Sequence, residues 1–309
     1  MKCGLVILNY NDFPTTQNLL DAVKDFPEID HIAVVDNNSP NESYEVLKKY
    51  EGGKITVIQS GRNGGYSFGN NIGIKYLIRN HQPDIIGIAN PDTMFTDSFV
   101  KRIKELFIAN QDYAVITGLQ LNVLGDVGGH PFWEENEGRA SFLLKQLLLK
   151  SILMKPVVFF QEIFRCEYTD KYRAYRDRIR NSPNVLNQVW AVEGSLFFIR
   201  TKDFERISLF DERIFMGYEE SVLAGKLKAL GRKIGVANDI TYIHDHKNPK
   251  PEKISLSLTL FEESTVFYYS NYPSENKMLR FLLVFLIRAR KLRLLFENAI
   301  KSTIKRIIS

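Results

Sequence analysis

The sequence predicts an α/β protein whose central sheet is mostly parallel and is flanked by helices. Strand-like and helix-like apolar patterns alternate over the first 120 residues, and such alternation builds a parallel sheet covered by helices. Acidic and amide side chains follow three apolar runs, in the turns Val35–Ser39, Asn90–Asp92 and Tyr218–Glu220. Open α/β sheets bind ligands beyond the carboxyl ends of their strands, so we expect one crevice for a cation and a polyanionic ligand.

Each predicted element has its own apolar pattern. Short apolar runs bounded by turn residues predict buried strands, and longer runs with apolar residues three or four apart predict helices. The predicted strands are Cys3–Leu8, His31–Val35, Ile55–Gln59, Ile85–Ala89 and Ala114–Leu121. The predicted helices are Phe13–Phe26, Ser43–Tyr50, Tyr66–Asn80 and Asp97–Asn110. The pattern breaks between about residues 125 and 183, where we expect a helical insert.

Composition is typical of a folded protein with a substantial core, since 44% of the 309 residues are hydrophobic and 25% are charged. The two cysteines, Cys3 and Cys166, lie far apart and near no matching His/Cys cluster, so we expect neither a disulfide framework nor a zinc site. The chain enters a strand pattern at once, without signal-peptide features, and its longest apolar run, Phe281–Ile287, is too short to span a bilayer. These features predict a cytoplasmic protein.

The net charge of +5 is concentrated near the C-terminus. Between Lys277 and Ser309 there are nine basic residues and one acidic residue, Glu297, interleaved with Leu, Phe and Ile. This composition favours a basic amphipathic helix on an anionic membrane surface over nucleic-acid binding. The alternative is a C-terminal helix packed on its own core with solvated basic residues. We predict a main domain over residues 1–250 and a helical, membrane-associating region over residues 251–309.

The sequence lacks the common nucleotide-binding loops. No G-x-G-x-x-G motif follows the first strand, which ends in Leu8–Asp12, and there is no Walker loop. The glycine-rich segment Gly61–Tyr66 leads instead into a predicted helix. Glycines let backbone amides approach a ligand closely, and a helix N-terminus favours anions. Alone, this pattern is equally typical of a simple turn between a strand and a helix.

Taken in order, the motifs resemble those of the family 2 glycosyltransferases, which have the GT-A fold. The similarity covers roughly residues 3–246, apart from the region 125–183. The matching segments are Val6–Tyr10, Val35–Ser39, Asn63–Gly73, Asn90–Asp92, Val192–Arg200, Leu209–Phe215, Tyr218–Glu220 and Gly231. Within the family, the sequence is most similar to rhamnosyltransferase-like enzymes that build bacterial surface polysaccharides.

The resemblance implies a site for a nucleotide-diphosphate sugar. The implied donor-binding residues are Leu8, Asn9, Tyr10, Asp36, Asn38, Asn63, Gly64, Asn70 and Asn90. Asp36 matches the acidic residue that contacts the nucleobase, and its alternative role is to cap the turn. The implied donor is a dTDP- or UDP-sugar that carries rhamnose, galactose, glucose or galactofuranose.

The resemblance also implies a divalent cation, Mg²⁺ or Mn²⁺. Asp92 matches the last acid of the DxD motif that holds this cation on the diphosphate, while Asn90 replaces the first acid. A single carboxylate suffices when the substrate supplies phosphate oxygens as ligands. His244 matches a histidine that joins this site in many relatives, and His246 competes for the same role.

The implied reaction is inverting glycosyl transfer to a hydroxyl of a lipid-linked saccharide acceptor. The family places its general base in an acidic pair at a helix start, here Glu219-Glu220, and Glu220 matches the base. Consecutive helical residues point about 100° apart, so we expect one of the two carboxylates to face the acceptor. The implied setting is capsule, O-antigen or exopolysaccharide assembly, peripherally on the inner face of the bacterial cell membrane.

Two other functions stay open at this stage. A nucleotidyltransferase on a related fold would carry a glycine-rich, basic first turn, which Leu8–Asp12 lacks. A non-catalytic relative that serves as a membrane-bound assembly partner is compatible with the departures at Asn90 and Glu220.

Overall fold

The computed structural model describes residues 1–125, 132–133, 173–245 and 263–272, together with eight positions between 278 and 289. Most of the expected helical insert, His246 and the residues beyond 289 lie outside the described residues. The predicted division of the chain near residue 250 stays a prediction.

The described strands form one large mixed sheet and one small pair. The strands are β1 Cys3–Asn9, β2 His31–Asp36, β3 Ile55–Gln59, β4 Ile85–Ala89, β5 Thr93–Met94, β6 Tyr113–Leu121, β7 Phe132–Trp133, β8 Leu186–Val189, β9 Ala191–Val192, β10 Leu196–Arg200 and β11 Lys233–His244. The order in the large sheet is β3-β2-β1-β4-β10-β6-β11-β5, and β8 also pairs with β11. The strands β7 and β9 form the small pair.

Helices cover both faces of the large sheet. The described helices are α1 Phe13–Val23, α2 Ser43–Lys48, α3 Gly65–His81, α4 Asp97–Ala109, α5 over residues 173–180, α6 Thr201–Arg206, α7 Glu219–Ala229 and α8 over residues 263–271. One apolar layer includes Ile74 and Leu77 of α3 with Leu223 and Leu227 of α7. The opposite layer contains the apolar faces of α1 and α4. Among the described residues, no helix is both long and apolar enough to cross a bilayer.

The predicted fold class is confirmed, and the nine elements predicted before residue 122 are present. The main differences are at helix ends. The helix α1 stops at Val23 rather than Phe26. Pro27 has no N–H to bond the Val23 carbonyl, and it disfavours helical geometry at Phe26. The helix α2 stops at Lys48 rather than Tyr50, where the backbone tightens into short-range turns before two glycines with positive φ, Gly52 and Gly53.

Strand register brings the predicted site segments to one edge of the sheet. The parallel pairing of β1 with β2 aligns Asn9 with Asp36. The strand β10 runs antiparallel to β4 with Leu196 opposite Ala89, so the chain enters β10 where β4 ends. The strand β11 ends at His244, which is paired with Thr93 of β5. Residues that are far apart in the sequence therefore meet at the carboxyl ends of β1, β2 and β4.

Cys3 belongs to the core. Its side chain is fully buried, and burial raises the pKa of its thiol to about 12. A thiol that stays protonated is a poor nucleophile and a poor metal ligand. Cys3 therefore contributes to packing rather than to the chemistry of the site.

Candidate active site

The expected donor-binding residues Asn9 and Asp36 form a buried polar network. Asp36 is fully buried, and its Oδ1 accepts hydrogen bonds from Asn9 Nδ2 at 2.7 Å and Ser39 Oγ at 2.6 Å. Its Oδ2 accepts the Ser39 backbone N–H at 2.9 Å, and Thr16 Oγ1 donates to Asn9 Oδ1 at 2.8 Å. Asp36 thus caps the turn that follows β2, and its contact with a nucleobase stays a prediction.

The loops after β2 and β3 are joined by amide side chains. Asn37 Nδ2 donates to Asn63 Oδ1 at 3.0 Å and to the Gly65 carbonyl at 3.1 Å. Among the other expected donor-binding residues, Tyr10 and Asn38 are exposed, whereas Leu8 is partly buried and packs on the core. These contacts hold the loops after β2 and β3 together beside the exposed Tyr10 and Asn38.

The glycine-rich start of α3 is held against the chain that precedes α7. Gly65 has a φ of +85°, and a Cβ there would lie 2.1 Å from the Phe215 carbonyl oxygen. That carbonyl accepts the Tyr66 N–H at 2.9 Å, so this amide is not available to an anion. Gly64 precedes the helix, and the buried Asn70 donates to the Tyr66 carbonyl at 3.1 Å. The close approach of two backbones explains why glycine occupies position 65.

The residues expected to hold the cation meet as a pair. His244 Nε2 lies 3.2 Å from Asp92 Oδ1, and the two side chains are 4% and 28% exposed. The Asp92 carbonyl accepts the Asp245 N–H at 2.9 Å, which joins the turn after β4 to the end of β11. Asn90 is partly buried, and its N–H donates to the Ser195 carbonyl at 2.7 Å. Backbone bonds therefore set the position of the pair.

The donor set of this pair fits a divalent cation whose remaining ligands come from a substrate. A carboxylate oxygen and an imidazole nitrogen suit Mn²⁺, whereas Mg²⁺ prefers oxygen ligands only. No group of three or more His, Cys, Asp or Glu side chains in the described part of the chain is arranged to hold a metal. The protein therefore offers Asp92 and His244, and phosphate oxygens would complete the set.

A third acidic residue, Glu193, lies behind the histidine. Its Oε1 is 3.9 Å from His244 Nδ1, on the other side of the ring from Asp92. Burial raises the pKa of the Glu193 carboxyl to about 7, while nearby His244 and a hydrogen bond with Gln120 act in the opposite direction. The negative charges of Glu220 and Asp92 also raise this pKa. Glu193 thus changes its charge near neutral pH.

The two glutamates at the start of α7 have different surroundings. Glu219 is 5% exposed, and its Oε1 accepts the Gly217 N–H at 2.8 Å, so this carboxylate folds back onto its own loop. Glu220 is partly buried, and its Oε1 accepts the Gly194 N–H at 3.0 Å. The hydrogen bond across to Gly194 directs Glu220 toward the turn that carries Glu193.

Gly194 is the point at which these groups converge. Tyr66 Oη donates to the Gly194 carbonyl at 2.6 Å, and a Cβ at Gly194 would lie 2.8 Å from Glu220 Oε1. Burial raises the pKa of Tyr66, and the charges of Glu220, Glu219 and Glu193 add to this effect. The arrangement can accept a proton at a carboxylate and hold a cation at the neighbouring pair.

Sequence reasoning missed Glu193, Gln120 and Tyr66. The available signal for Glu193 was its place as the acidic residue in the matching segment Val192–Arg200. Gln120 is 1% exposed and lies at the end of β6, where nothing in the local pattern marks it. These residues meet through contacts between distant segments, because β10 pairs with β4 and β6, and Tyr66 of α3 donates to the Gly194 carbonyl.

Comparisons with known proteins identify the family and the fold. The family model for glycosyl transferase family 2 matches residues 5–173. The low-salt glycan biosynthesis hexosyltransferase Agl10 of Haloferax volcanii is 27% identical over 245 residues, which cover 78% of this chain and 66% of that protein. This chain therefore spans just under two thirds of the length of that curated relative.

Solved structures show the same fold. The mannosyltransferase PcManGT from Pyrobaculum calidifontis, in complex with GDP-Man and Mn²⁺, has a TM-score of 0.56 and 14% identity, covering 92% of this chain and 69% of that one. S. aureus TarS 1-349 in complex with UDP-GlcNAc has a TM-score of 0.53 and 16% identity, covering 93% of this chain and 72% of that one.

The sheet order and these structural neighbours show that the chain has the GT-A fold. The chain belongs to glycosyl transferase family 2, which confirms the resemblance inferred from its motifs.

The raised pKa of Glu193 predicts a pH-dependent stability. As pH rises from 4.5 toward about 7, the unfolded chain loses its proton at this residue before the folded protein does. The free energy of unfolding of the wild type should therefore fall relative to that of Glu193→Gln between pH 5 and pH 8. Each pKa unit corresponds to about 1.36 kcal/mol, and the Glu193 side chain is 25% exposed. We therefore expect this relative fall in the free energy of unfolding to be about 2 kcal/mol after solvent screening.

Urea denaturation of both proteins at pH 5 and pH 8 measures this difference. Glu205→Gln, at an exposed position of α6, is the control and should show no comparable change. Parallel stability curves for the wild type and Glu193→Gln would show that Glu193 ionises like a solvated carboxylate.

Proposed function

We propose that this protein transfers a sugar from a nucleotide-diphosphate donor to an acceptor hydroxyl with inversion at the anomeric carbon. The observation that carries the proposal is the arrangement around Gly194, with Glu220 on the Gly194 amide and the Asp92–His244 pair beside Glu193. A base and a cation-binding pair at one strand edge suit a displacement that needs a proton acceptor and stabilisation of a leaving diphosphate.

Glu220 is the better candidate for the general base. The Glu219 carboxylate is almost fully buried and is engaged by Gly217, whereas Glu220 is partly exposed and fixed by one hydrogen bond. In the proposed step, Glu220 takes the proton of the acceptor hydroxyl as its oxygen attacks the anomeric carbon. The bond to the diphosphate oxygen breaks on the opposite side, and the electron pair leaves with the nucleoside diphosphate.

The donor would lie between the Asn9–Asp36 network and the Asp92–His244 pair. The buried side-chain oxygens Asn37 Oδ1 and Asn70 Oδ1 have no hydrogen-bond partner among the described residues, which suits a polar ligand that supplies donors. When bound at Asp92 and His244, Mn²⁺ or Mg²⁺ would neutralise charge on the departing diphosphate. The Mn²⁺ in the mannosyltransferase complex supports the use of a divalent cation.

The transferred sugar is proposed to be a hexose or deoxyhexose. Rhamnose, galactose, glucose and galactofuranose follow from the motif resemblance, and the hexosyltransferase relative in glycan biosynthesis supports a hexose. UDP-GlcNAc and GDP-Man, which occur in the two structural neighbours, belong in any donor screen. The proposed acceptor is a lipid-linked saccharide in capsule, O-antigen or exopolysaccharide assembly.

A membrane-facing surface near the C-terminus would bring the protein to such an acceptor. Met278, Phe281 and Phe285 are 72%, 72% and 59% exposed, at helical positions whose spacing puts them on one side. Ile287 is 4% exposed and packs with the loop before α7, so the same segment has a buried side. The nine basic residues between Lys277 and Ser309 add attraction to an anionic inner leaflet.

Replacement of the proposed base should abolish turnover and preserve donor binding. Glu220→Gln keeps an oxygen for the Gly194 N–H but cannot accept the acceptor proton, so kcat should fall about 10²- to 10⁴-fold. Glu219→Gln keeps the bond to Gly217 and should retain most activity. Release of nucleoside diphosphate from each candidate donor measures the effect, and loss of activity only in Glu219→Gln would move the base to that residue.

Nucleotide binding should depend on the cation through Asp92. In a thermal-shift screen with UDP, dTDP, GDP and CMP, the matching nucleotide should raise the melting temperature more with Mn²⁺ than without it. Ligand at about 100 times its Kd stabilises a folded protein by about 2.7 kcal/mol. Asp92→Asn should lose the Mn²⁺-dependent part of the shift.

Asp84→Asn is the matched control for this screen, because Asp84 is exposed at the opposite end of β4. An Mn²⁺-dependent shift that survives in Asp92→Asn would locate the cation elsewhere. No shift with any nucleotide would favour a non-catalytic relative.

Exposed phenylalanines should govern vesicle binding. Burying one aromatic side chain contributes about 1.5–3 kcal/mol, so Phe281→Ser and Phe285→Ser should each weaken sedimentation with phosphatidylglycerol-containing vesicles about tenfold. Ile108→Ser is the control, because Ile108 is 61% exposed on α4 and far from this segment in sequence. Equal binding by all variants would leave the membrane contact to other residues.

A further inference from the structure

The chain that delivers Glu220 is held from two sides. On one side, α3 binds it through the Tyr66 N–H on the Phe215 carbonyl and through Asn71, whose side chain donates to the Phe210 carbonyl at 3.1 Å and accepts the Phe210 N–H at 3.2 Å. Asn71 Nδ2 also donates to Glu212 Oε1 at 2.9 Å. These bonds hold the segment between α6 and α7 from Phe210 to Phe215.

On the other side, aromatic residues of α8 hold the end of the same segment. Tyr218 stacks on Tyr268 with ring centroids 4.8 Å apart and an angle of 24°, and Tyr269 meets it edge-on at 5.8 Å. All three rings are at most 3% exposed, and they pack with Ile214 and Val222. Tyr272 Oη also donates to Asp211 Oδ2. The helix α8 therefore covers the loop from Asp211 to the start of α7.

Tyr218 has a backbone conformation that needs such support. Its φ is +76°, in the left-handed region that residues with a side chain rarely adopt. Its carbonyl accepts the Val222 N–H at 3.0 Å, so this residue sets the direction in which α7 begins. Glu219 and Glu220 follow directly, and a change of φ at Tyr218 would rotate both carboxylates.

We propose that Tyr268 and Tyr269 are positioning residues for the transfer reaction, which hold Tyr218 in its left-handed conformation and thereby keep Glu220 on the Gly194 amide. The catalytic part rests on the proposed role of Glu220, whereas the positional part does not. The helix α8 thus supports the active site through Tyr218, although neither tyrosine touches the reacting atoms.

The test uses the whole 309-residue chain and monitors the hydrogen bond that Glu220 makes. Because Glu220 Oε1 accepts the Gly194 N–H, hydrogen exchange at Gly194 reports that bond. Tyr268→Ala should increase this exchange about tenfold, while the exchange of β1 amides stays unchanged. Tyr268→Phe, which keeps the ring stacked on Tyr218, should change this exchange less than Tyr268→Ala does. Ser270→Ala, at an exposed position of the same helix, is the control.

Turnover provides the second reading. Displacement of a base by about 1 Å costs up to about a hundredfold in rate, so Tyr268→Ala should lower kcat for nucleoside diphosphate release about tenfold or more, with the donor KM within about twofold of the wild type. If Tyr268→Ala does not fold, Tyr268→Leu fills similar volume without a planar ring and takes its place. A lower melting temperature with unchanged Gly194 exchange and unchanged kcat would overturn the inference.

The experiments distinguish failure of the proposed base, Glu220, from failure of the proposed positioning role of Tyr268. If Glu220→Gln keeps full turnover while Gly194 exchange responds to Tyr268→Ala, the assignment of the base is wrong and the positional inference stands. If Glu220→Gln is inactive and Tyr268→Ala matches the wild type in exchange and kcat, the positional inference is wrong.

Discussion

The antiparallel pairing of β10 with β4 is the constraint on which the site depends. Because Leu196 lies opposite Ala89, the turn before β10 reaches the edge where β4 ends. The bond from the Asn90 N–H to the Ser195 carbonyl continues this pairing past the strand. Gly194 and Glu193 are thereby brought beside the turn that carries Asp92. A parallel strand in this position would place the same turn at the opposite edge.

Electrostatic repulsion is the second physical feature of the site. The carboxylates of Asp92 and Glu220 lie close enough to Glu193 for their negative charges to raise the pKa of the Glu193 carboxyl. The imidazole of His244 lies between Asp92 and Glu193 and lowers that pKa. Such a cluster gains stability from a cation or from a proton. The cation that accompanies the proposed donor and the proton of the proposed acceptor hydroxyl would each meet this requirement.

The position of the Glu220 carboxylate is fixed by packing on both sides of the loop that precedes α7. Hydrogen bonds from α3 and ring stacking from α8 act on a segment that contains a left-handed residue, Tyr218. A left-handed conformation costs a residue with a side chain roughly 1–2 kcal/mol. Contacts distributed over two helices can offset this cost, and they restrict the carboxylate that follows.

The sequence by itself determined the alternation of strands and helices and the three polar turns. It predicted Ile55–Gln59 and Ile85–Ala89 with the bounds that the structure has, because buried parallel strands need only a short apolar run between turn residues. It also named Asp92 and His244 from motif order, and the structure brings these two side chains together. These features depend on residues that are close in the chain or on a motif order that the family shares.

Only the tertiary structure decided how the remaining groups meet. Adjacent Glu219 and Glu220 have the same chemistry in the sequence, yet strand and loop packing turns one onto Gly217 and the other onto Gly194. Glu193 joins the site because β10 pairs with β4, and Tyr268 contacts Tyr218 although the two lie 50 positions apart in the sequence. Contacts of this kind depend on pairing between distant segments, for which local periodicity carries no information.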